Sequence, residues 1–161
     1  MADDPGVDSG LMIAQYTAAG IVSELKRLAV PSSVDSIPSS AMQEDHVSMG
    51  WAGARKLRRA VDGLGRVLAI ELLTATRALD LRCAPDLSAP HGSQDPSMAD
   101  DSTRSELAPA RGTGAVRDLV RTVVDGPGPD RYLSPDIEAV TRLVAGGDVV
   151  RAASAAVGHL A

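Results

Sequence analysis

Residues 57–81, LRRAVDGLGRVLAIELLTATRALDL, decide the fold of this chain. Their apolar side chains recur in steps of three and four residues, the spacing that places side chains on one face of an α-helix. This stripe consists of Leu57, Val61, Leu64, Leu68, Leu72, Ala75 and Leu79. A second apolar set lies off the stripe and consists of Val67, Ile70, Leu73 and Leu81. The pattern predicts a long helix that is buried on more than one side.

The predicted helix is too long for a small domain. We expect it to begin near Gln43, with Ser39 or Ser40 as its N-cap, and to end near Leu81. At 1.5 Å per residue it would be roughly 55–60 Å long, whereas a compact domain of this size is roughly 30 Å across. Residues 11–30 predict a second helix that is apolar on several sides, ended by Pro31. Helices of this kind need partners beyond those that the chain supplies.

The composition favours a helical protein and excludes several classes of function. The chain has 161 residues, of which 44% are hydrophobic and 2% aromatic, with no Phe. A core of Leu, Val, Ile and Ala favours helix-on-helix packing. The net charge of −5 and the scarcity of aromatic side chains disfavour nucleic-acid binding.

Cysteine and histidine usage disfavours a metal or disulfide framework. Cys83 is the single cysteine, so no internal disulfide can form, and no Cys/His cluster has the spacing of a zinc site. No apolar run reaches the roughly 20 residues of a membrane span, and the acidic start lacks a signal-peptide pattern. We therefore expect a cytoplasmic protein with no membrane partner and no metal.

Helix-breaking residues divide the chain into three parts. Residues 1–82 contain the two long helices. Residues 83–113 contain four prolines among Ser, Asp and Gly, which is typical of a mobile insertion or linker. Residues 114–161 predict short helices, separated by the Gly-Pro-Gly-Pro run at 126–129 and by Gly146 and Gly147.

The candidate chemistry lies in Gln43-Glu44-Asp45-His46, directly after a Ser- and Pro-rich loop. One interpretation is structural: Glu44 and Asp45 would complement the dipole of a helix N-terminus, and His46 would be a packed polar residue. The other is functional: a carboxylate and an amide would face a small polar substrate from a loop–helix junction. The residues alone favour the structural interpretation.

Longer stretches around these residues resemble a known enzyme family. Residues 32–50 (SSVDSIPSSAMQEDHVSMG), 9–17 (SGLMIAQYT) and 66–73 (RVLAIELL) resemble the C-terminal part of the histidine ammonia-lyases. The resemblance covers about residues 1–82 and is weaker at 130–138 (DRYLSPDIE). Phenylalanine and tyrosine ammonia-lyases usually have Asn-Gln-Asp where this chain has Gln43-Glu44-Asp45.

The resemblance implies an all-α fold, a bundle of long helices in which residues 1–82 are the C-terminal part of the lyase core. It implies a homotetramer that eliminates ammonia from L-histidine to give trans-urocanate. Glu44 matches the active-site glutamate of the family, which binds the substrate imidazole or assists proton movement there. Gln43 would help to orient the substrate. Asp45 and His46 belong to the motif, but helix capping and packing remain the favoured interpretation for them.

The family forms its electrophile, a methylidene-imidazolone, from an internal Ala-Ser-Gly, and this chain has no such triplet. The segments that hold the family's catalytic tyrosine and arginine are also absent. We therefore expect the chain alone to be inactive and to need a missing N-terminal lyase segment or a homo-oligomer. Two alternatives remain open: a non-catalytic helical scaffold remnant, and a part of another aromatic amino acid lyase, against which Glu44 argues.

Overall fold

The computed structural model describes residues 7–83 and 108–158. These residues form five α-helices: α1 (Met12–Leu28), α2 (Gly50–Cys83), α3 (Arg111–Arg121), α4 (Ser134–Ala145) and α5 (Asp148–Val157). Two short 3-10 turns, Ser32–Val34 and Ser40–Met42, lie between α1 and α2. No strand occurs in these two ranges. The predicted all-α class is confirmed.

Helix α2 is the scaffold on which the other helices pack. Its 34 residues correspond to a length of about 50 Å. Helix α1 runs antiparallel to the first half of α2. The Lys56 amine, near the start of α2, donates to the carbonyl of Val30, just beyond the end of α1. Arg59, farther along α2, pairs with Glu24, which lies earlier in α1. Helix α4 packs against α2, where Arg66 pairs with Glu138 across 3.1 Å.

A glycine sets the close approach of α1 to α2. A Cβ atom added at Gly63 would lie 3.0 Å from Cδ2 of Leu25 and 3.3 Å from Cγ2 of Ile21. The absence of a side chain at Gly63 therefore lets the two helices approach closely at this point.

The core belongs to the second apolar set of α2. Ile70 and Leu73 are buried with Ala69. They belong to the same cluster as Ile137 and Val140 of α4, Val120 of α3 and Ala14 of α1. All the hydrophobic members are aliphatic, whereas Tyr16, Trp51 and Tyr132 are exposed, so the expectation of a core without aromatic side chains is confirmed.

The first half of the predicted stripe faces away from this core. Leu57, Val61, Leu64 and Leu68 are 65%, 59%, 50% and 40% exposed. In the first half of α2 the described residues therefore leave this face uncovered, whereas Leu72, farther along the stripe, packs against the core. The expectation that α2 is buried on more than one side concerns an assembly with further partners and stays a prediction.

A charge cluster fastens the C-terminal helices to the end of α2. The Asp80 carboxylate accepts hydrogen bonds from Arg117 and Arg121 of α3, with an Arg121 Nε to Oδ2 distance of 2.8 Å. The hydrogen bond to the carboxylate of Asp80 raises the pKa of Arg117. Helix α5 packs on α3 and α4, which completes the C-terminal unit.

Three predicted boundaries are corrected by the structure. Helix α2 begins at Gly50 rather than near Gln43, because the chain before it turns back in a closed loop, and the first turn of α2 contains no acidic residue. Ser39 and Ser40 do not cap it. The predicted linker at 83–113 is shorter at both ends, since Cys83 closes α2 and Arg111 opens α3. Its residues 84–107 lie outside the described residues, so the mobile insertion stays a prediction.

Candidate functional site

Gln43 and Glu44 lie on a closed loop between α1 and α2. The N–H of Val47 donates to the carbonyl of Ile37 at 2.9 Å, and the Ser36 hydroxyl donates to the carbonyl of Val47 at 2.7 Å. Pro38 and His46 form an antiparallel bridge beside these bonds. The loop is thus fastened at its base, and its tip presents Gln43 and Glu44.

A left-handed turn forms the tip of this loop. Ser40, Ala41 and Met42 have φ angles of 50°, 55° and 70°, a region that residues with a side chain seldom occupy. The N–H of Met42 donates to the carbonyl of Ser39 at 3.0 Å and that of Gln43 to the carbonyl of Ser40 at 3.1 Å. Backbone strain of this kind is characteristic of functional sites. The turn reverses the chain and brings Glu44 back onto Ser39.

The Glu44 carboxylate is held by serine hydroxyls. The Ser39 hydroxyl donates to Oε2 of Glu44 at 2.7 Å. This hydrogen bond, with a second from the Ser40 hydroxyl, lowers the pKa of Glu44, and slight burial opposes it. Glu44 is therefore a carboxylate near neutral pH, which can accept a hydrogen bond from an imidazole N–H and stabilise an imidazolium ion.

The structure places all four residues of the motif on this exposed loop. Asp45 and His46 do not cap α2, so the structural interpretation of the acidic pair as residues of a helix first turn is wrong. The sequence reasoning missed the contact of Ser39 with Glu44 because it treated Ser39 as a helix cap. The available signal was the serine pair of a Ser/Pro-rich loop just ahead of an acidic residue.

Elsewhere in the described chain, the structure offers a cleft of about 460 Å³ between the start of α1, residues 130–134 and α4. At its edge Asp130 accepts the backbone N–H groups of Ser9 and Gly10 at 2.6 and 2.8 Å. Gln43 and Glu44 do not line it. Within residues 7–83 and 108–158, no group of three His, Cys, Asp or Glu side chains could hold a metal, and none of the helices there is long and apolar enough to cross a membrane.

The long α2 helix and the Gln-Glu-Asp-His loop correspond to an established enzyme family. Residues 1–104 match the family model for aromatic amino acid lyases. The chain belongs to this family, and the resemblance seen in the sequence is confirmed.

Among curated proteins, the histidine ammonia-lyase of Streptomyces coelicolor is 55% identical over 161 residues, which are 99% of this chain and 27% of that protein. The histidine ammonia-lyase of Symbiobacterium thermophilum is 49% identical over 96% of the chain and 26% of its own length. The chain thus spans about a quarter of the length of these relatives.

Solved structures of the same family share the fold. The crystal structure of histidine ammonia-lyase from Trypanosoma cruzi matches 97% of this chain and 26% of its own, with 36% identity and a TM-score of 0.74. The structure of tyrosine aminomutase from Streptomyces globisporus matches 98% of this chain and 26% of its own, with 32% identity and a TM-score of 0.75. The fold is therefore common to enzymes of the family that differ in their named reactions.

Proposed function

We propose that this chain supplies the C-terminal part of a histidine ammonia-lyase, which eliminates ammonia from L-histidine to give trans-urocanate. The observation that carries the proposal is the hydrogen bond by which Ser39 holds the Glu44 carboxyl group at the tip of a closed loop. The proposal is supported by 55% identity to a protein named histidine ammonia-lyase. The cytoplasmic location expected from the sequence and the role in histidine catabolism are part of the same proposal.

Glu44 binds the imidazole ring of the substrate in this proposal. An ionised carboxylate accepts a hydrogen bond from an imidazole N–H and favours the charged form of the ring. Gln43, the neighbouring residue, has an amide that can both donate and accept, and it helps to orient the substrate. A neutral residue in place of Glu44 would suit an uncharged aromatic ring instead.

The electrophile of the family does not come from these 161 residues. They contain no Ala-Ser-Gly, so the donor set for a methylidene-imidazolone is lacking. In the complete enzyme the group supplies the electrophilic activation that makes the substrate β-proton removable. This chain's own contribution to the chemistry is to bind and orient the imidazole, through the Glu44 carboxylate and the Gln43 amide.

The exposed stripe of α2 is the surface on which the rest of the enzyme packs. Leu57, Val61 and Leu64 are each at least half exposed and follow one another at helical spacing on one side of a helix of about 50 Å. An exposed apolar stripe on a long helix is typical of a helix that is buried in a larger assembly. We propose that it contacts the missing N-terminal lyase segment and further copies in a homotetramer.

A chimeric enzyme tests the proposal. The matched part of the Streptomyces coelicolor enzyme is replaced by this chain, and urocanate formation is followed by absorbance. We expect the chimera to deaminate L-histidine, and Glu44→Gln to reduce kcat/KM by about 10²-fold or more, because a charged partner of the imidazole is lost. Asp118→Asn, at an exposed carboxylate of α3, is the matched control and should leave kcat/KM unchanged.

The two alternatives give different results in the same assay. A chimera that acts on L-tyrosine or L-phenylalanine and not on L-histidine would assign the chain to another branch of the family. A folded chimeric tetramer without activity on any of the three substrates would favour a scaffold remnant. Equal kcat/KM values for Glu44→Gln and the unchanged chimera would show that Glu44 does not bind the substrate.

A further inference from the structure

Ser39 meets Glu44 only because of the left-handed turn between them. Five residues of extended chain would separate the two by up to about 17 Å. The turn at Ser40–Met42 instead brings the Ser39 hydroxyl to 2.7 Å from Oε2 of Glu44, and the Glu44 N–H donates to the Ser39 carbonyl at 3.4 Å. Side chain and backbone of Ser39 therefore both hold Glu44.

We propose that Ser39 is a positioning residue for the substrate-binding carboxylate, acting through its hydroxyl on Oε2 of Glu44. The proposal rests on the proposed function, since it concerns the same glutamate. A glutamate side chain has three rotatable bonds, and a single donor fixed by a strained turn selects one arrangement of them. Oε2 accepts the Ser39 hydroxyl, and the carboxylate so oriented keeps acceptor positions that can receive the imidazole N–H.

The Ser39 hydroxyl also affects the pKa of Glu44. Hydrogen bonds from Ser39 first and Ser40 second lower the pKa of Glu44, so that the carboxylate is charged over a wider pH range. The neighbouring titratable groups along the chain are Asp45 and His46. Removal of the Ser39 hydroxyl takes away the larger of the two hydrogen-bond contributions. The pKa of Glu44 then rises towards its ordinary value.

The loop offers a matched pair of hydroxyls for the test. Ser36 donates to the carbonyl of Val47 at the base of the loop, at the same 2.7 Å distance, and this hydrogen bond does not involve Glu44. Ser36→Ala removes a loop hydroxyl without removing the contact to Glu44, whereas Ser39→Ala removes the contact itself. Ser39→Thr keeps a hydroxyl at an extended backbone position with φ of −91°, which threonine readily adopts.

The first arm of the test uses the 161-residue chain and needs no lyase activity. The Glu44 carboxyl signal is titrated by NMR in the unchanged chain, Ser39→Ala, Ser39→Thr and Ser36→Ala. We expect a higher pKa in Ser39→Ala alone. An unchanged pKa in Ser39→Ala, or an equal rise in Ser36→Ala, overturns the proposal whatever the enzyme assay gives.

The second arm uses the active chimera. Ser39→Ala should reduce kcat/KM for L-histidine on the order of tenfold, mostly through KM, because a misplaced carboxylate binds the imidazole less well. The acidic limb of the pH–rate profile should move to higher pH, and Ser39→Thr should restore both. An equal loss of kcat/KM in Ser36→Ala, or a loss in Ser39→Ala without a shift of the acidic limb, would show that Ser39 only maintains the structure of the loop. If the chimera is inactive while the NMR shift is present, the proposed function fails and the Ser39–Glu44 contact stands.

Discussion

The same Leu→Ala substitution on two faces of α2 should have very different effects on the stability of this chain. Leu73 is 3% exposed in the core, whereas Leu57 is 65% exposed. Truncation of Leu73 removes three buried carbon atoms at about 0.8 kcal/mol each and leaves a cavity, for a total of about 3 kcal/mol. Truncation of Leu57 removes mostly solvated atoms and should cost less than about 1 kcal/mol. Helix propensity changes equally in both.

Urea unfolding followed by circular dichroism measures this difference. Both variants and the unchanged chain are compared at one low protein concentration, so that self-association contributes equally. We expect a lower midpoint for Leu73→Ala at an unchanged slope, and a midpoint near that of the unchanged chain for Leu57→Ala. Free energies of unfolding that fall equally in the two variants would refute the assignment of the core to the second apolar set.

Three further predictions concern surface, charge and strain. Val61→Glu, on the exposed stripe, should shift the isolated chain towards monomer in sedimentation velocity, and an unchanged distribution would contradict this. Asp80→Asn leaves Arg117 and Arg121 facing each other and should lower the free energy of unfolding by roughly 2 kcal/mol, with a fall in Tm. Ala41→Gly, at a φ of 55°, should raise the free energy of unfolding by about 0.5–1 kcal/mol, measured by urea unfolding. A decrease would argue against the left-handed turn.

The helices of this chain could be predicted from sequence because their apolar residues have a clear period. The pattern of 57–81 lies inside α2, and the short helices predicted towards the C-terminus are present as α3, α4 and α5. The choice between the two apolar faces of α2 could not be predicted. Either face can be buried, and only the contacts with α1, α3 and α4 show which face the core of the described residues uses.

The start of α2 was mispredicted because a rare backbone conformation overrides the capping signal. Ser39 and Ser40 precede two acidic residues, which is typical of a helix N-terminus. Three consecutive left-handed residues, none of them glycine, have no sequence signature, and they turn the chain away from a helix.

The site was accessible from sequence only in part. The family resemblance identifies Glu44 and Gln43, whereas the residue types and their spacing alone favour helix capping. The contact of Ser39 with Glu44 depends on the turn between them and became evident only in the structure. The sequence could therefore assign Gln43 and Glu44, but it could not assign Ser39, because the role of Ser39 depends on the geometry of the turn.

Complementation tests the central claim most directly. The purified 161-residue chain is assayed with L-histidine alone, and then together with the part of the Streptomyces coelicolor enzyme that it does not match. We predict urocanate only from the mixture, in an assembly that contains both chains, because no Ala-Ser-Gly is present in this one. Urocanate from the chain alone, or a co-purifying assembly that forms none, would contradict the account.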